Sequence, residues 1–254
     1  MRLESLGLPI RKAVEFAARI GAQGVQFDAV GELAPEQLSQ TGRRQLKHIL
    51  SNHGLSIIGI GFPTRRGFDH LEQLEARQAA ALRMLPFAHE LGAPIVIGTP
   101  GKIPDKADDP KSRHFFDALE RIGREAERVG TRFALETGWD SPERMVQFFN
   151  DMKCFGLAVN YDPGNLLVRG FDIYGGVPLL GDRIVGVHVK DVLRSATTVS
   201  GYLETRMGDG ELDWNRFFGA MAEIDYPGYF TVERETSNDP LSDVTQAVEF
   251  LKRF

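Results

Sequence analysis

Short apolar runs of strand length recur along the whole chain, and each is followed by residues that start, carry and stop a helix. That alternation leaves few folds open, because parallel strands need a crossover of a dozen or more residues, usually helical. The runs at 2–5, 25–28, 55–62, 95–99, 133–136, 157–160, 184–190 and 229–233 are read as eight strands. Pro9 suits the start of a first helix, and a second is expected at about 41–53 with Gly54 at its end. Asp69 and Glu72 have capping-box spacing, so a third helix is expected to open there and close at Gly92. A fourth is expected over 112–129 with Gly130 as its stop, and Ser141-Pro142 starts a fifth. Asp162-Pro163-Gly164-Asn165 is read as a turn rather than a helix. Asp213 caps a helix after the long segment 192–212, and 241–254 forms the last. Eight such units in 254 residues predict a single (β/α)8 barrel, a TIM barrel, spanning 1–254. An open doubly wound sheet that bound a dinucleotide would place a glycine-rich turn after its first strand. Glu4-Ser5-Leu6-Gly7-Leu8 is not one.

Four of the runs carry an ionisable residue at or beside their ends: Glu136, Asp162, His188 and Glu233, spaced 26, 26 and 45 residues apart. One barrel unit takes about 30 residues, so each step fits one unit, with an insertion in the last. A lone strand-end carboxylate usually caps a helix or pairs with a cation. Four such residues at the ends of separate strands converge on the face where barrels of this kind carry their active sites. Three carboxylates and an imidazole without thiolates suit one divalent ion, with Mn²⁺ leading and Co²⁺, Mg²⁺ or Zn²⁺ as alternatives. The two-residue period of a strand puts Lys190 on the face of His188, Asn160 with Asp162, and Glu235 with Glu233. Lys190 either orients substrate oxygens or carries a proton, or else pairs with Asp191 or another carboxylate. His48, His53 and His89 fall on helices as surface or packing residues. His70 and His114 follow strands on the active face and stay outside the site.

Composition narrows the partners. Hydrophobic residues make up 42% of the chain, enough for a sizeable core. The formal charge of −5 offers no basic field to nucleic acid or an anionic membrane. No apolar run is long enough to span a bilayer, and Met1-Arg2-Leu3-Glu4-Ser5 has no signal core. The single cysteine, Cys154, forms no internal disulfide and is read as a packing residue, which makes the cytoplasm the expected location. Against the acidic whole, Arg65, Arg66, Lys102, Lys106 and Arg169 follow strands on the active face. They are either solvated loop charge or a pull on an anionic substrate such as a sugar phosphate or sugar acid.

Five blocks resemble the xylose isomerase-like barrel superfamily of sugar and sugar-phosphate isomerases and epimerases. They are Ala134-Leu135-Glu136-Thr137, Tyr161-Asp162-Pro163-Gly164-Asn165, Val187-His188-Val189-Lys190-Asp191, Arg206-Met207-Gly208-Asp209-Gly210-Glu211-Leu212-Asp213-Trp214 and Thr231-Val232-Glu233-Arg234-Glu235. In the ketose 3-epimerase branch this resemblance makes all four strand-end residues ligands of one metal, and Glu136 and Glu233 the proton-transfer pair. Arg206 matches an arginine that contacts a substrate oxygen, and a homodimer or homotetramer is implied. One position departs: where the epimerases carry a histidine three residues after the aspartate, this chain has Asn165, which hydrogen-bonds substrate but moves no proton near neutral pH. The expected reaction is proton abstraction beside a sugar carbonyl, giving an enediolate, with the metal polarising the carbonyl. Proton return on the opposite face epimerises, and return to the neighbouring carbon isomerises. The alternatives are a keto-inositol dehydratase on the same scaffold, an endonuclease IV-type phosphodiesterase, and a catalytically inactive metabolite-binding barrel. The second lacks its histidines and basic surface here.

Overall fold

A computed structural model describes residues 1–105, 110–152 and 154–254. The helices and strands run in the order α1 Ile10–Arg19, β1 Gly24–Asp28, α2 Gln40–Asn52, β2 Ser56–Phe62, α3 Leu74–Leu91, β3 Ile95–Gly98, α4 Pro110–Val129, β4 Arg132–Glu136 and α5 Pro142–Asp151. There follow β5 Leu157–Tyr161, α6 Pro163–Arg169, α7 Gly176–Leu180, β6 Ile184–Val189, β7 Asp191–Arg194, β8 Tyr202–Thr205, α8 Trp214–Glu223, β9 Phe230–Val232 and α9 Pro240–Leu251. Among the described residues, seven parallel strands in the order β1-β2-β3-β4-β5-β6-β9 form a nearly closed α/β barrel, the expected fold class. These strands are buried on both faces, which is why they read as continuous apolar runs rather than alternating ones. Ile95, Ile97 and Ala134 fill the barrel interior, and Phe27, Phe133, Phe148, Tyr161 and Phe217 belong to the larger core cluster. Cys154 is buried, in keeping with a packing role. No described helix is long and apolar enough to cross a membrane.

Several caps follow the sequence reading. Ser141 Oγ accepts from Arg144 N ahead of Pro142, and Asp213 accepts from Arg216 N at the start of α8. Four expectations need correction. Residues 2–5 form no strand: Leu3–Leu6 is a 3-10 turn ending at Gly7, which adopts φ +62°. The eighth stave shrinks to one bridge, with Gln26 N donating to Met1 O at 2.8 Å and Arg2 N donating to Val232 O at 2.9 Å. The chain must reverse at Gly7 to reach α1 on the outside, so only Met1 and Arg2 can lie between β1 and β9. The third helix begins at Leu74, not Asp69; Asp69 Oδ2 instead accepts from Lys102 N, 3.2 Å away in the next loop.

Asp162-Pro163-Gly164-Asn165 opens the short helix α6. Turn formers and helix starters are here the same residues: Asp162 Oδ1 accepts from Asn165 N at 2.9 Å, and Pro163 takes the first helical position. The last helix ends at Leu251 rather than 254. The insertion after β6 carries the antiparallel hairpin β7–β8. Its base is fixed by Asp191, whose Oδ2 accepts from Gly208 N, Gly210 N and Trp214 Nε1 at 2.9, 3.1 and 2.9 Å. A Cβ on Gly210 would lie 1.9 Å from Asp191 Oδ1, so that glycine is a steric requirement.

Candidate metal centre

Every parallel strand ends at the same mouth, and there the four marked residues meet. Glu136 ends β4, Asp162 follows β5, His188 is the penultimate residue of β6, and Glu233 follows β9. One ligand atom from each lies within 4.8 Å of the others, although 97 residues separate the first from the last in sequence. His188 Nδ1 stands 3.0 Å from Glu136 Oε1 and 3.4 Å from Glu233 Oε2, while Nε2 faces Gln26 Oε1 at 2.9 Å. Lys190 Nζ lies 2.9 Å from Glu233 Oε2 and 3.0 Å from Asp162 Oδ2. Of the two readings of Lys190, the ion pair is present, and its partners are these carboxylates rather than Asp191. Arg2 completes the network, with Nη1 2.5 Å from Glu233 Oε1 and Nη2 2.8 Å from Asp28 Oδ2.

Burial alone would protonate Asp162 and Glu233 and discharge His188 and Lys190. Mutual pairing decides otherwise. Desolvation opposes ionisation of Glu233, but His188, Lys190 and Arg2 overcome it and hold the carboxyl well below its ordinary range. Burial likewise works against a charged His188, yet Glu233 and Glu136 raise the imidazole to about 10. Lys190 stays protonated, lifted well above its ordinary value by Asp162 and Glu233 against the pull of burial. Asp162 is raised to about 6, chiefly by desolvation, with Lys190 opposing the rise. The residues fit a divalent ion. Asp162 Oδ2 is buried, and its partner among the described residues is the Lys190 ammonium at 3.0 Å. The donor set is three carboxylates and one imidazole without thiolate, each from a different stave.

A metal-ligating imidazole must be neutral, whereas His188 in this arrangement carries a proton up to about pH 10. Metal uptake at pH 7 is therefore expected to release at least one proton. Affinity should rise as pH increases toward 10 and fall as Asp162 protonates below about 6. Calorimetry of Mn²⁺ binding in two buffers of different ionisation enthalpy measures this, and heats independent of the buffer would contradict it.

The other expected site residues divide. Asn165 lines a cavity of about 390 Å³ at the mouth, together with Glu136 and Lys190, and its Nδ2 donates to Thr137 O at 3.4 Å. Gly138, at φ +122°, permits this approach, since a Cβ there would fall 2.6 Å from Asn165 Cβ. A second cavity of about 200 Å³ is lined by Glu136, His188, Glu233, Gln26 and Arg2, among others. Arg206 lines neither cavity; its Nε donates to Asp243 Oδ1 at 2.6 Å and its Nη2 to Ser242 Oγ. His48, His53, His89 and His114 are exposed, and His70 lines the larger cavity. Lys106 lies outside the described residues. Arg2 and Gln26 join the site although neither is among the residues expected from sequence. Gln26 carried a signal, as a polar residue inside a fully buried strand; Arg2 carried none, because its place depends on the collapsed first stave.

Fold and site together define a parallel α/β-barrel protein with a candidate divalent-metal centre at the C-terminal ends of its strands. The chain belongs to the xylose isomerase-like TIM barrel family, whose model matches residues 14–254. It is 25% identical over 222 residues to an inosose dehydratase of Lacticaseibacillus casei, covering 76% of this chain and 73% of that protein. It is 22% identical over 225 residues to the L-ribulose-5-phosphate 3-epimerase UlaE of Shigella flexneri serotype 5b (strain 8401), covering 84% and 78%. The crystal structure of a xylose isomerase domain protein from Planctomyces limnophilus superposes with a TM-score of 0.84 at 21% identity, over 94% of this chain and 90% of that one.

Proposed function

We propose that this chain, acting as one barrel over 1–254, is a divalent-metal-dependent isomerase or epimerase of a sugar or sugar derivative, working through proton abstraction beside a carbonyl. The observation that carries this reading is the convergence of Glu136, Glu233 and His188 with a buried, protonated Lys190 beside an open cavity. A divalent ion held by Glu136, Asp162, His188 and Glu233, with manganese the leading candidate, would supply Lewis-acid polarisation of the substrate carbonyl. Glu136, the most exposed of the four, borders both cavities and is placed to take or return a proton on one side of a bound substrate. Glu233 borders only the smaller cavity and serves the other side. Lys190 directs its ammonium at a substrate oxygen, and Asn165 donates or accepts a hydrogen bond there. Arg206 would reach substrate only by leaving Asp243.

A second reading, a dehydratase, shares the first step and then loses a hydroxyl from the carbon next to the carbanion. The relationship to an inosose dehydratase favours it, as does Lys190, a cation on the cavity able to protonate a departing hydroxyl. Solvent deuterium exchange with added Mn²⁺, across ketoses, ketose phosphates and keto-inositols, tests both. Metal-dependent uptake at a carbon beside the carbonyl, without net loss of water, is the result expected for an epimerase or isomerase. An unsaturated ketone absorbing in the near ultraviolet would assign the lyase. No uptake in any of these substrates would count against both.

A further inference from the structure

The larger cavity at the mouth has a second character besides its acid–base groups. Arg65 and Arg66, from the loop after β2, and Arg169, from the end of α6, border the same space of about 390 Å³ as Glu136, Lys190 and Asn165. In a chain of net charge −5, three guanidinium groups on one cavity need an account. The carboxylates that share the lining each face a donor or a cation. Asp69 accepts from Lys102 N, Glu235 lies 3.6 Å from Arg2 and 3.8 Å from Lys190, and Glu136 faces His188. Arg66 pairs with the exposed Glu72. Among the described residues, Arg65 and Arg169 have no carboxylate within 4.0 Å.

Arg169 is stacked, and the loop that carries Arg65 is anchored. Arg169 ends a helix whose N-cap is Asp162, and its guanidinium lies 5.1 Å from the ring centre of Trp139, which also borders the cavity. Stacking on an aromatic face occupies the guanidinium plane and leaves the N–H edge free to donate. Behind Arg65, Phe68 is buried, packs edge-on against Phe133 and donates its N–H to Pro100 O at 2.7 Å. Gly67 lies so close to Gly101 that a Cβ would meet backbone at 2.3 Å. A loop anchored this tightly loses little further freedom when a ligand arrives.

We propose that Arg65 and Arg169, with Arg66 beside them, form an anion subsite for the phosphate or carboxylate at the far end of the substrate. The substrate class is then an anionic ketose rather than a neutral one. This rests on the proposed carbonyl chemistry at Glu136 and Glu233 for the other end of the molecule. Guanidinium edges match the paired oxygens of either anion, so one chemistry has two sources.

The test compares Mn²⁺-dependent deuterium exchange in a ketose, its terminal phosphate and the corresponding keto acid, for wild type, Arg65→Ala, Arg169→Ala and the double variant. Wild type is expected to favour an anionic form, and each single variant to reduce that selectivity in kcat/KM by ~10–100-fold. Preference for the phosphate or for the keto acid names the source. No preference in wild type, or selectivity unchanged in the double variant, overturns the subsite. Absence of exchange in every compound would instead count against the proposed reaction. The subsite is then judged by equilibrium dialysis of inorganic phosphate with metal chelated. Saturable binding lost in the double variant supports it, and no saturable binding to wild type overturns it.

Discussion

Replacing Glu233 by glutamine is expected to slow metal-dependent exchange by ~10²–10⁴-fold, the usual contribution of a positioned acid–base group. Glutamine keeps the side chain's shape but removes its charge and its basicity. The variant should fold, because Arg2 retains Asp28 at 2.8 Å and Lys190 retains Asp162 at 3.0 Å. A second consequence separates this role from a structural one. Glu233 is the chief group raising His188, so the imidazole of the variant should lose its proton at lower pH. Metal uptake by Glu233→Gln should accordingly release less proton at pH 7 than wild type. Near-normal exchange in a variant with an unchanged unfolding midpoint would remove Glu233 from the proton transfer.

Lys190→Met should destabilise the metal-free protein by ~3–5 kcal/mol, the range for breaking a buried ion pair on one side. Lys190 is buried and balances Asp162 and Glu233, which have almost no exposure of their own. Methionine fills similar space without the charge. The deficit should depend on pH. Lys190 is raised above its ordinary value, so its contribution is present throughout the neutral range and is lost only at strongly alkaline pH. Asp162 already titrates at about 6 and should move higher without the ammonium. The loss is therefore largest above pH 6 and shrinks as protons take the place of the missing cation. Divalent metal should restore more stability to the variant than to wild type, since it supplies the counter-charge. Urea unfolding with chelator and with Mn²⁺, at pH 5 and pH 8, measures all of this. A deficit under about 1 kcal/mol that ignores pH would show that Lys190 does not balance these carboxylates.

Much of the fold was legible because its signals are local. Strands buried on both faces must be nearly all apolar, so 95–98, 132–136 and 157–161 stand out. Serine before Pro142 and aspartate before Trp214 mark helix starts by hydrogen bonds that span three residues. Where one local pattern serves two structures, sequence does not choose between them. Asp69 and Glu72 have the spacing of a capping box, but the Asp69 carboxylate is claimed by a loop 33 residues on. Asp162-Pro163 suits a turn and a helix start equally, and only the path of the chain beyond it selects the helix.

By itself, the sequence determined the barrel class, the places where strands end, and the identity of the four residues standing there. These follow from burial and from the two-residue period of a strand. Tertiary structure alone decided what surrounds those four. Arg2 reaches Glu233 across 231 residues, Gln26 meets His188 across 162, and Lys190 chooses Asp162 and Glu233 over its neighbour Asp191, which fixes the loop instead. Such pairings depend on which staves adjoin when the barrel closes. Closure is a property of the whole sheet, and no segment of the chain carries it.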